Sequence, residues 1–508
     1  MDVNHLISFG LDSHSSEHIH SLRDFLAVLD QSQAVLTINQ PVDLRHELTA
    51  LSHKALCEQG PALQFNQLKS DHKMPVIANL FGTEQRVLKA LGVAGKTELT
   101  QLGQQLAYLQ SPQLPTDIEQ GQSLFKQFKR LSYVNPRNIN NPPCQTHVLT
   151  ESDVDLNLLP LPTCWPEDVS ALLTFGLVIT RGPRQNRQNI GIYRQQPIAK
   201  NKLIMRWLAH RGGATDFADF KKAHPGQRFP VAVVIGADPI TTLAAVAPIP
   251  DTLSEYHFAG LLRGAKTQVT PGYLHPHLSI PANAEIVLEG YIEPDETAEE
   301  GPFGDHTGFY NTVEQFPVFT VEAITFRDKP LYHTSYMGQP GEDEPSVMAS
   351  VLNELFIPLL QNNFPEIVDF YLPPAACSYR LAVVSIRKQY PGHAKRMMMA
   401  IWSFLRQFSY TKYIIVTDED INVRDWSDVI WAISTRADPA RDSVILERTP
   451  VDYLDFSSPE SRLGGKMGLD ATHKWPAETS RTWGRPIVHS DDFKQHINDL
   501  WTQIKQTS

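Results

Sequence analysis

The chain has 508 residues, of which 42% are hydrophobic and 20% charged. That is enough apolar side chain to bury a sizeable core, over roughly two to four domains, and it excludes a disordered chain. A formal net charge of −11 argues against broad nucleic-acid binding and against a polybasic membrane anchor. Cys57, Cys144, Cys164 and Cys377 stand far apart with no C-x-x-C, which argues against a zinc ribbon or a disulfide framework. Each is expected to be a small buried hydrophobe in a reducing compartment. The start Met-Asp-Val-Asn-His lacks a basic and apolar leader, and no apolar run reaches membrane-spanning length, so a soluble cytoplasmic protein is expected.

Residues 1–19 are polar and are expected to form a loose tail. Leu22, Phe25, Leu26 and Leu29 recur at helical spacing, predicting a helix over Ser21–Leu29. A strand at Ala34–Ile38, a helix at Leu44–Cys57, a strand at Pro75–Phe81 and helices at Glu84–Leu91 and Glu98–Leu109 complete an N-terminal α/β domain, taken as 1–130. Pro and Asn punctuate 135–162. Strand-like runs follow at Leu172–Thr180, Asn189–Arg194, Leu203–Leu208, Val231–Ile235, Ala284–Ile292 and Val318–Arg327, with only Thr252–Leu262 read as helix. Short strands with long loops predict a barrel or sandwich over 131–330. From 331 to 508 the pattern alternates: helix Val347–Leu360, strand Arg380–Ile386, helix Ala394–Phe408, strand Tyr413–Val416, helix Ser427–Ser434 and a final strand Val444–Leu446. That predicts a C-terminal α/β domain with a mostly parallel sheet. It ends in an amphipathic helix, Asp491–Gln506, with Phe493, Ile497, Leu500 and Ile504 on one face. The expected class is therefore a mixed α+β and α/β multidomain protein.

Three stretches carry candidate chemistry. In Glu300-Gly-Pro-Phe-Gly-Asp305-His306 a Gly-Pro-Phe-Gly turn that cannot be helical separates two acids. This is either a general acid/base loop or a charged surface turn. From Arg181 to Thr215 there is no Asp or Glu, but there are Arg181, Arg184, Arg187, Arg194, Lys200, Lys202, Arg206 and Arg211. Interleaved Ile, Tyr, Trp and Gly favour an anion site for a phosphate-bearing ligand over a merely solvated basic face. In Pro248-Ile-Pro-Asp-Thr-Leu-Ser-Glu255-Tyr-His257, Asp251 or Thr252 is a candidate N-cap, and Glu255 by itself reads as an acid complementing a helix dipole. Asp418 to Asp420 read as a solvated strand exit. There is no P-loop, no G-x-G-x-x-G, no H-E-x-x-H and no G-x-S-x-G.

Taken together, Glu300–Gly308, Gln188–Gln196, Ile204–Gly213, Pro250–Tyr256, Cys164–Asp168, Phe364–Pro374 and Lys466–Thr472 resemble the UbiD family of prenylated-FMN-dependent decarboxylases, over nearly the whole chain. The resemblance is strongest to the bacterial branch acting on 3-polyprenyl-4-hydroxybenzoate in ubiquinone biosynthesis. It implies a central split β-barrel of FMN-binding type between two α/β domains. It implies Asn189, His210 and Glu255 as metal ligands, an O/N set suited to Mn²⁺ or Mg²⁺, with K⁺ as a companion ion. Ile192, Tyr193, Arg194, Arg206, Trp207, Leu208, Arg211 and Gly212 match the segments that cradle the modified flavin. Arg194, Glu300 and Asp305 match the catalytic group, Asp305 standing where relatives often carry Glu.

The same resemblance implies a polyprenylated aromatic acid as substrate and a flavin prenyltransferase as cofactor supplier. It also implies a homo-oligomer, with a hexamer as the candidate, and peripheral contact at the inner face of the cell membrane. The chemistry assigns Arg194 either to hold the substrate carboxylate or to hold the acids in place, and Asp305 to protonate the ring carbon. Glu300 tunes Asp305, and one acid of the pair is expected to be protonated near neutral pH. The alternatives are a decarboxylase of another aromatic or unsaturated acid, an FMN-dependent oxidoreductase, and a non-catalytic flavin-binding protein.

Overall fold

A computed structural model describes residues 18–110, 130–183, 187–208, 211–247, 249, 253–404, 406–485, 487 and 489–507. Of the expected tail 1–19, residues 1–17 lie outside these residues, as do Arg184, His210, Asp251 and Thr252, while Ile19 is buried in the N-terminal core and so is not part of a loose tail.

At the N-terminal end, local signals act as expected. Ser21 caps the helix Leu22–Gln31, its side chain accepting from the amide of Asp24, and Leu22, Phe25 and Leu29 point inward. Thr83 caps Glu84–Leu91 in the same way, and Gly92 closes it in the left-handed region. The sheet beneath runs Val35–Ile38, Ala62–Phe65, Val76–Ala78 and Tyr332–His333. Two of these strands were not expected. Ala62–Phe65 directly follows Gly60 and Pro61, and Tyr332–His333 joins from far along the chain, in parallel with Val76–Ile77. The long helix Glu344–Asn363 also packs here, placing Met348, Leu352 and Leu355 in one core with Phe25, Phe81 and Leu102.

The central sheet has eight strands. Its order is Asn189–Ile192, Leu177–Thr180, Phe229–Ile235, Ile286–Glu300, Glu314–Phe326, Lys202–Met205 and Gln195–Ala199, with His147–Thr150 also paired to Glu314–Phe326. Every pairing is antiparallel. Along Phe229–Ile235 the alternate residues Val231, Val233 and Ile235 enter one core, and Ala232 and Val234 enter another. The sheet is thus covered on both faces, which is why the strand reads as a continuous apolar run. Its two edge strands, Asn189–Ile192 and Gln195–Ala199, are joined only by Tyr193 and Arg194. Three Cα steps span at most about 11 Å, so the sheet curls until its edges nearly meet. Among the described residues the hydrogen-bond ladder does not close into a barrel.

Two helices of this region carry no strong apolar stripe and were not expected: Gly212–Ala223 and Pro239–Ala244. The helix expected from Thr252 runs Glu255–Arg263. Its N-cap is Ser254, whose hydroxyl donates instead to Gln188 O at 3.1 Å. Arg263 and Asp238 form a fully buried ion pair.

The C-terminal sheet is ordered Ile367–Tyr371, Leu381–Ile386, Tyr413–Asp418, Leu463–Ala471 and Ser443–Pro450. Only its inner two pairings are parallel, and both outer ones are antiparallel, so the expectation of a mostly parallel sheet is corrected. Nor is Val444–Leu446 the last strand. Leu463–Ala471 returns between it and Tyr413–Asp418, its glycines having masked the strand signal. The strand exit at Asp418 and Asp420 is pinned by Arg436 at 2.8 and 2.7 Å, so it is not simply solvated. The terminal helix Asp491–Thr507 leaves Phe493, Ile497, Leu500, Trp501 and Ile504 exposed. No helix among the described residues is long and apolar enough to cross a membrane.

Candidate active site

The two longest strands, Ile286–Glu300 and Glu314–Phe326, are joined by the Gly-Pro-Phe-Gly-Asp-His turn. Glu300 is the last residue of its strand, paired with Glu314, so it is held by the ladder, and only Asp305 lies on the loop itself. The loop is closed on itself. Asn311 N donates to Phe303 O at 3.0 Å, Asp305 N to Phe309 O at 3.1 Å, and Gly304 bridges Tyr310. Phe303 plugs the interior, fully buried beneath Arg194, whose guanidinium carbon lies 5.2 Å from the ring centre. Gly304 leaves no room for a side chain, since a Cβ there would sit 2.2 Å from Trp165 Cδ1.

Arg194 comes from the short link between the two edge strands. Its Nε donates to Glu300 Oε1 at 2.6 Å and its Nη1 to Asp305 Oδ2 at 2.9 Å. Nη2 donates to Asn311 Oδ1 at 2.8 Å and to Glu300 Oε2 at 3.1 Å. The hairpin formed by Gln195–Ala199 and Lys202–Met205 pairs Gln195 with Met205, which brings Arg206 alongside Arg194. Arg206 N donates to Arg194 O at 3.3 Å, and Arg206 Nη1 lies 3.0 Å from Asp305 Oδ2. Two guanidiniums therefore face two carboxylates in a site where Glu300 is fully buried and Asp305 is 2% exposed.

The charge state follows from this count. Burial pushes the Asp305 carboxyl up, but Arg206, Arg194 and His306 outweigh it and hold it well below the usual carboxylate range. The expectation of a shared proton is corrected for Asp305: it counted one arginine, and the hairpin supplies a second. His306 donates its backbone N–H to Asp305 Oδ1 at 2.7 Å, and its Nδ1 lies 2.7 Å from the same oxygen. Its ring is part-exposed, linking the buried carboxylate to the surface.

Next to this cluster several buried donors have no hydrogen-bond partner among the described residues: Arg206 Nε and Nη2, Trp207 Nε1 and the Tyr453 hydroxyl. Tyr453 comes from the C-terminal region, its ring centre 5.3 Å from the Arg206 guanidinium. Tyr193 packs edge-on to Trp207 at 6.3 Å, and its hydroxyl accepts from Gly213 N at 3.4 Å. Arg211 is the N-cap of Gly212–Ala223 with no side-chain cap, so the start of that helix lies beside Tyr193 and Trp207 with the Gly213 amide on the Tyr193 hydroxyl. Arg211 itself is exposed, Ile192 and Leu208 are half-buried, and Arg211 N donates to Leu208 O at 2.9 Å. Orphaned cationic and indole donors beside a helix N-terminus that has no side-chain cap fit a phosphorylated, ring-bearing group.

Three family descriptions match the chain. The 3-octaprenyl-4-hydroxybenzoate carboxy-lyase N-terminal domain matches residues 26–106, the Rift-related domain 137–340, and the C-terminal domain 346–471. The chain belongs to the UbiD family. Like other UbiD members it is a decarboxylase, a carboxy-lyase. Vanillic acid decarboxylase of Sedimentibacter hydroxybenzoicus in its closed form superposes with a TM-score of 0.84 at 25% identity, covering 96% of this chain and 99% of that one. The UbiD-class enzyme HmfF from Pelotomaculum thermopropionicum, in complex with FMN, gives 0.76 at 26%, covering 93% and 98%. An evolved dimeric form of the same enzyme is in complex with prFMN, at 0.74 and 26%, with the same coverage.

Within this UbiD chain, the residues matched to metal binding come together in part. Asn189 is buried at the start of its strand, and Glu255 accepts from the amide of the next residue, Ile190, at 3.0 Å. Burial pushes the Glu255 carboxyl up to about 7, a cost that a bound cation would reverse. Gly212 packs on Asn189 so closely that a Cβ would sit 1.9 Å from Asn189 Oδ1. His210 lies outside the described residues. Among the described residues of the basic stretch, Arg194 and Arg206 turn into the acid cluster, while Lys202 pairs with Glu296 and Lys200 with Ser152 O.

Two residues that were not candidates for the site complete it. Asn311 ties Arg194, Phe303 and Glu300 together. Asp168 accepts from the amides of Cys164, Trp165 and Gly304, fixing the acid loop against the Cys-Trp-Pro-Glu-Asp turn. That turn carries part of the family resemblance, but nothing in its spacing points to the partner 136 residues away.

Proposed function

We propose that this UbiD-family decarboxylase removes CO₂ from 3-polyprenyl-4-hydroxybenzoate, giving 2-polyprenylphenol in ubiquinone biosynthesis, with prenylated FMN and Mn²⁺ or Mg²⁺, and K⁺ as a companion ion. The observation that carries the reading is the buried Arg194–Glu300–Asp305–Arg206 cluster flanked by donors with no partner. The family description supports the polyprenylated substrate, and relatives in complex with FMN and prFMN support the cofactor. The curled central sheet supports a split barrel of flavin-binding type, with regions 1–130 and 331–508 as flanking domains. The exposed apolar face of the last helix supports a homo-oligomer.

Ile192, Tyr193, Trp207 and Leu208 would flank the ring system. Arg211 and the amides at Gly212 would meet its phosphate, Arg206 would line the ring system with its remaining donor toward the substrate, and Asn189, His210 and Glu255 would hold the metal. The modified flavin, when bound, supplies an electron sink for the pair left behind by departing CO₂. The protein's own groups do the rest. Arg206 Nη2, which has no hydrogen-bond partner among the described residues, receives the substrate carboxylate. That added negative charge weakens the hold of Arg206 on Asp305 and raises the affinity of Asp305 for a proton. The proton arrives through part-exposed His306, and Asp305 delivers it to the ring carbon, while Glu300 and Asn311 keep Arg194 in place.

The test is CO₂ release by the reconstituted holoenzyme from a 3-polyprenyl-4-hydroxybenzoate, with vanillate run beside it. Release from the prenylated acid is expected. Turnover of vanillate alone would replace the substrate, and activity only with unmodified FMN and a reductant would replace the reaction class. The vanillate arm matters because one similar structure is a vanillic acid decarboxylase.

A further inference from the structure

We propose that His53, Cys57 and Glu342 form a divalent-cation site of zinc type, separate from the decarboxylation centre. His53 and Cys57 stand four residues apart on the helix Glu47–Cys57, so both side chains lie on one face. Glu342 reaches them from the segment before the helix Glu344–Asn363. His53 Nε2 lies 2.9 Å from Glu342 Oε2 and 3.4 Å from Cys57 Sγ, and the three ligand atoms all lie within 4.8 Å of one another. Cys57 is exposed, which overturns its expected burial and leaves an ion a route in.

The geometry poses a hydrogen-bonding problem that a cation solves. One imidazole nitrogen faces a thiol and a carboxylate together. Protonated, it serves the carboxylate and has no lone pair for the thiol; unprotonated, it takes the thiol proton and turns its lone pair toward the carboxylate oxygens. A divalent ion at the centre is ligated by all three, and thiolate plus carboxylate balance its charge. Tetrahedral zinc, with N at about 2.0 Å and S at about 2.3 Å, sets the N-to-S separation near 3.5 Å, close to what is found here, and asks the N-to-O pair to open by about 0.4 Å. Burial, and then Glu342, push the Cys57 thiol up, an effect the cation would reverse. Water takes the fourth position.

The surroundings already hold the ligands in place. The Tyr336 hydroxyl donates to Glu342 O at 2.8 Å, and the His53 ring is edge-on to Trp165 and Tyr336 at 6.4 and 6.0 Å. Trp165 is the ring against which Gly304 packs. An ion here would clamp the 336–343 segment to the Glu47–Cys57 helix, over the ring that backs the acid loop.

The probe is Zn²⁺ on the full-length holoenzyme. Wild-type protein is expected to take up one equivalent more than Cys57→Ala, and zinc-edge X-ray absorption should show a sulfur neighbour at about 2.3 Å that the variant lacks. Glu342→Gln keeps the side-chain shape and should weaken uptake by about tenfold or more, since even outer partners of metal ligands carry that much. Zinc should raise the Tm of wild type, raise that of Glu342→Gln less, and leave that of Cys57→Ala unmoved. Equal uptake by wild type and Cys57→Ala, or a zinc signal without sulfur, overturns the proposal. If Cys57→Ala does not fold, unchanged zinc affinity in Glu342→Gln overturns it.

Discussion

Arg206 Nη1 lies 3.0 Å from Asp305 Oδ2, the same oxygen that Arg194 Nη1 holds at 2.9 Å. One buried carboxylate oxygen thus serves two guanidiniums, and Asp305 is ionised before any substrate arrives. Its pKa is lowered in the folded state, so its contribution to stability is present above the ordinary carboxylate range and is lost as pH falls through the lowered value. Arg206→Met removes one of the two cations and moves that loss to higher pH. It should also cost about 3 kcal/mol near neutrality, because a buried charge is left less compensated. Urea midpoints for both proteins, followed from neutral into acid pH, will show the two curves separating at neutral pH and converging in acid. Parallel curves would mean that Arg206 does not set the charge state of Asp305.

Asp305→Asn keeps the size of the side chain and removes the transferable proton. CO₂ release should fall by about 10²- to 10⁴-fold, the usual share of a general acid. Flavin retention should be unchanged, because Tyr193, Trp207 and Gly212 lie on other segments. Turnover at the wild-type rate would remove Asp305 from the donor role.

Gly304→Ala drives a methyl group to 2.2 Å from Trp165 Cδ1. The loop or the indole must move, at a cost of about 1–3 kcal/mol, and Asp305 moves with the loop. In a double-mutant cycle, Gly304→Ala should cost less in a Trp165→Ala background than in the wild type. Equal stability of the single variant and wild type, by denaturant titration, would contradict the packing described.

Glu255→Gln preserves the acceptor for the Ile190 amide and removes the charge. The fold should survive, while Mn²⁺ content and bound flavin both drop, as elemental analysis and absorbance will report. Full metal occupancy in the variant would exclude Glu255 as a ligand.

The local signals were legible because they depend on near neighbours. Ser21 and Thr83 cap the helices they precede, and apolar periodicity marks Leu22, Phe25 and Leu29. The motifs around Glu300, Arg194 and Glu255 could be read directly from the chain, and the family could be recognised from them. The tertiary structure decided what depends on distant pairing. Tyr332–His333 completes the first sheet, and Leu463–Ala471 enters the last one between earlier strands. No local pattern encodes either, since a strand's partners are chosen by register and chain reversal. The same holds for the site. Arg206 reaches Asp305 only because a hairpin sets it beside Arg194, and Asp168 reaches Gly304 across 136 residues. Composition lists acids and bases; whether a given acid keeps its proton depends on which cations share its buried pocket, and only the folded chain sets those distances.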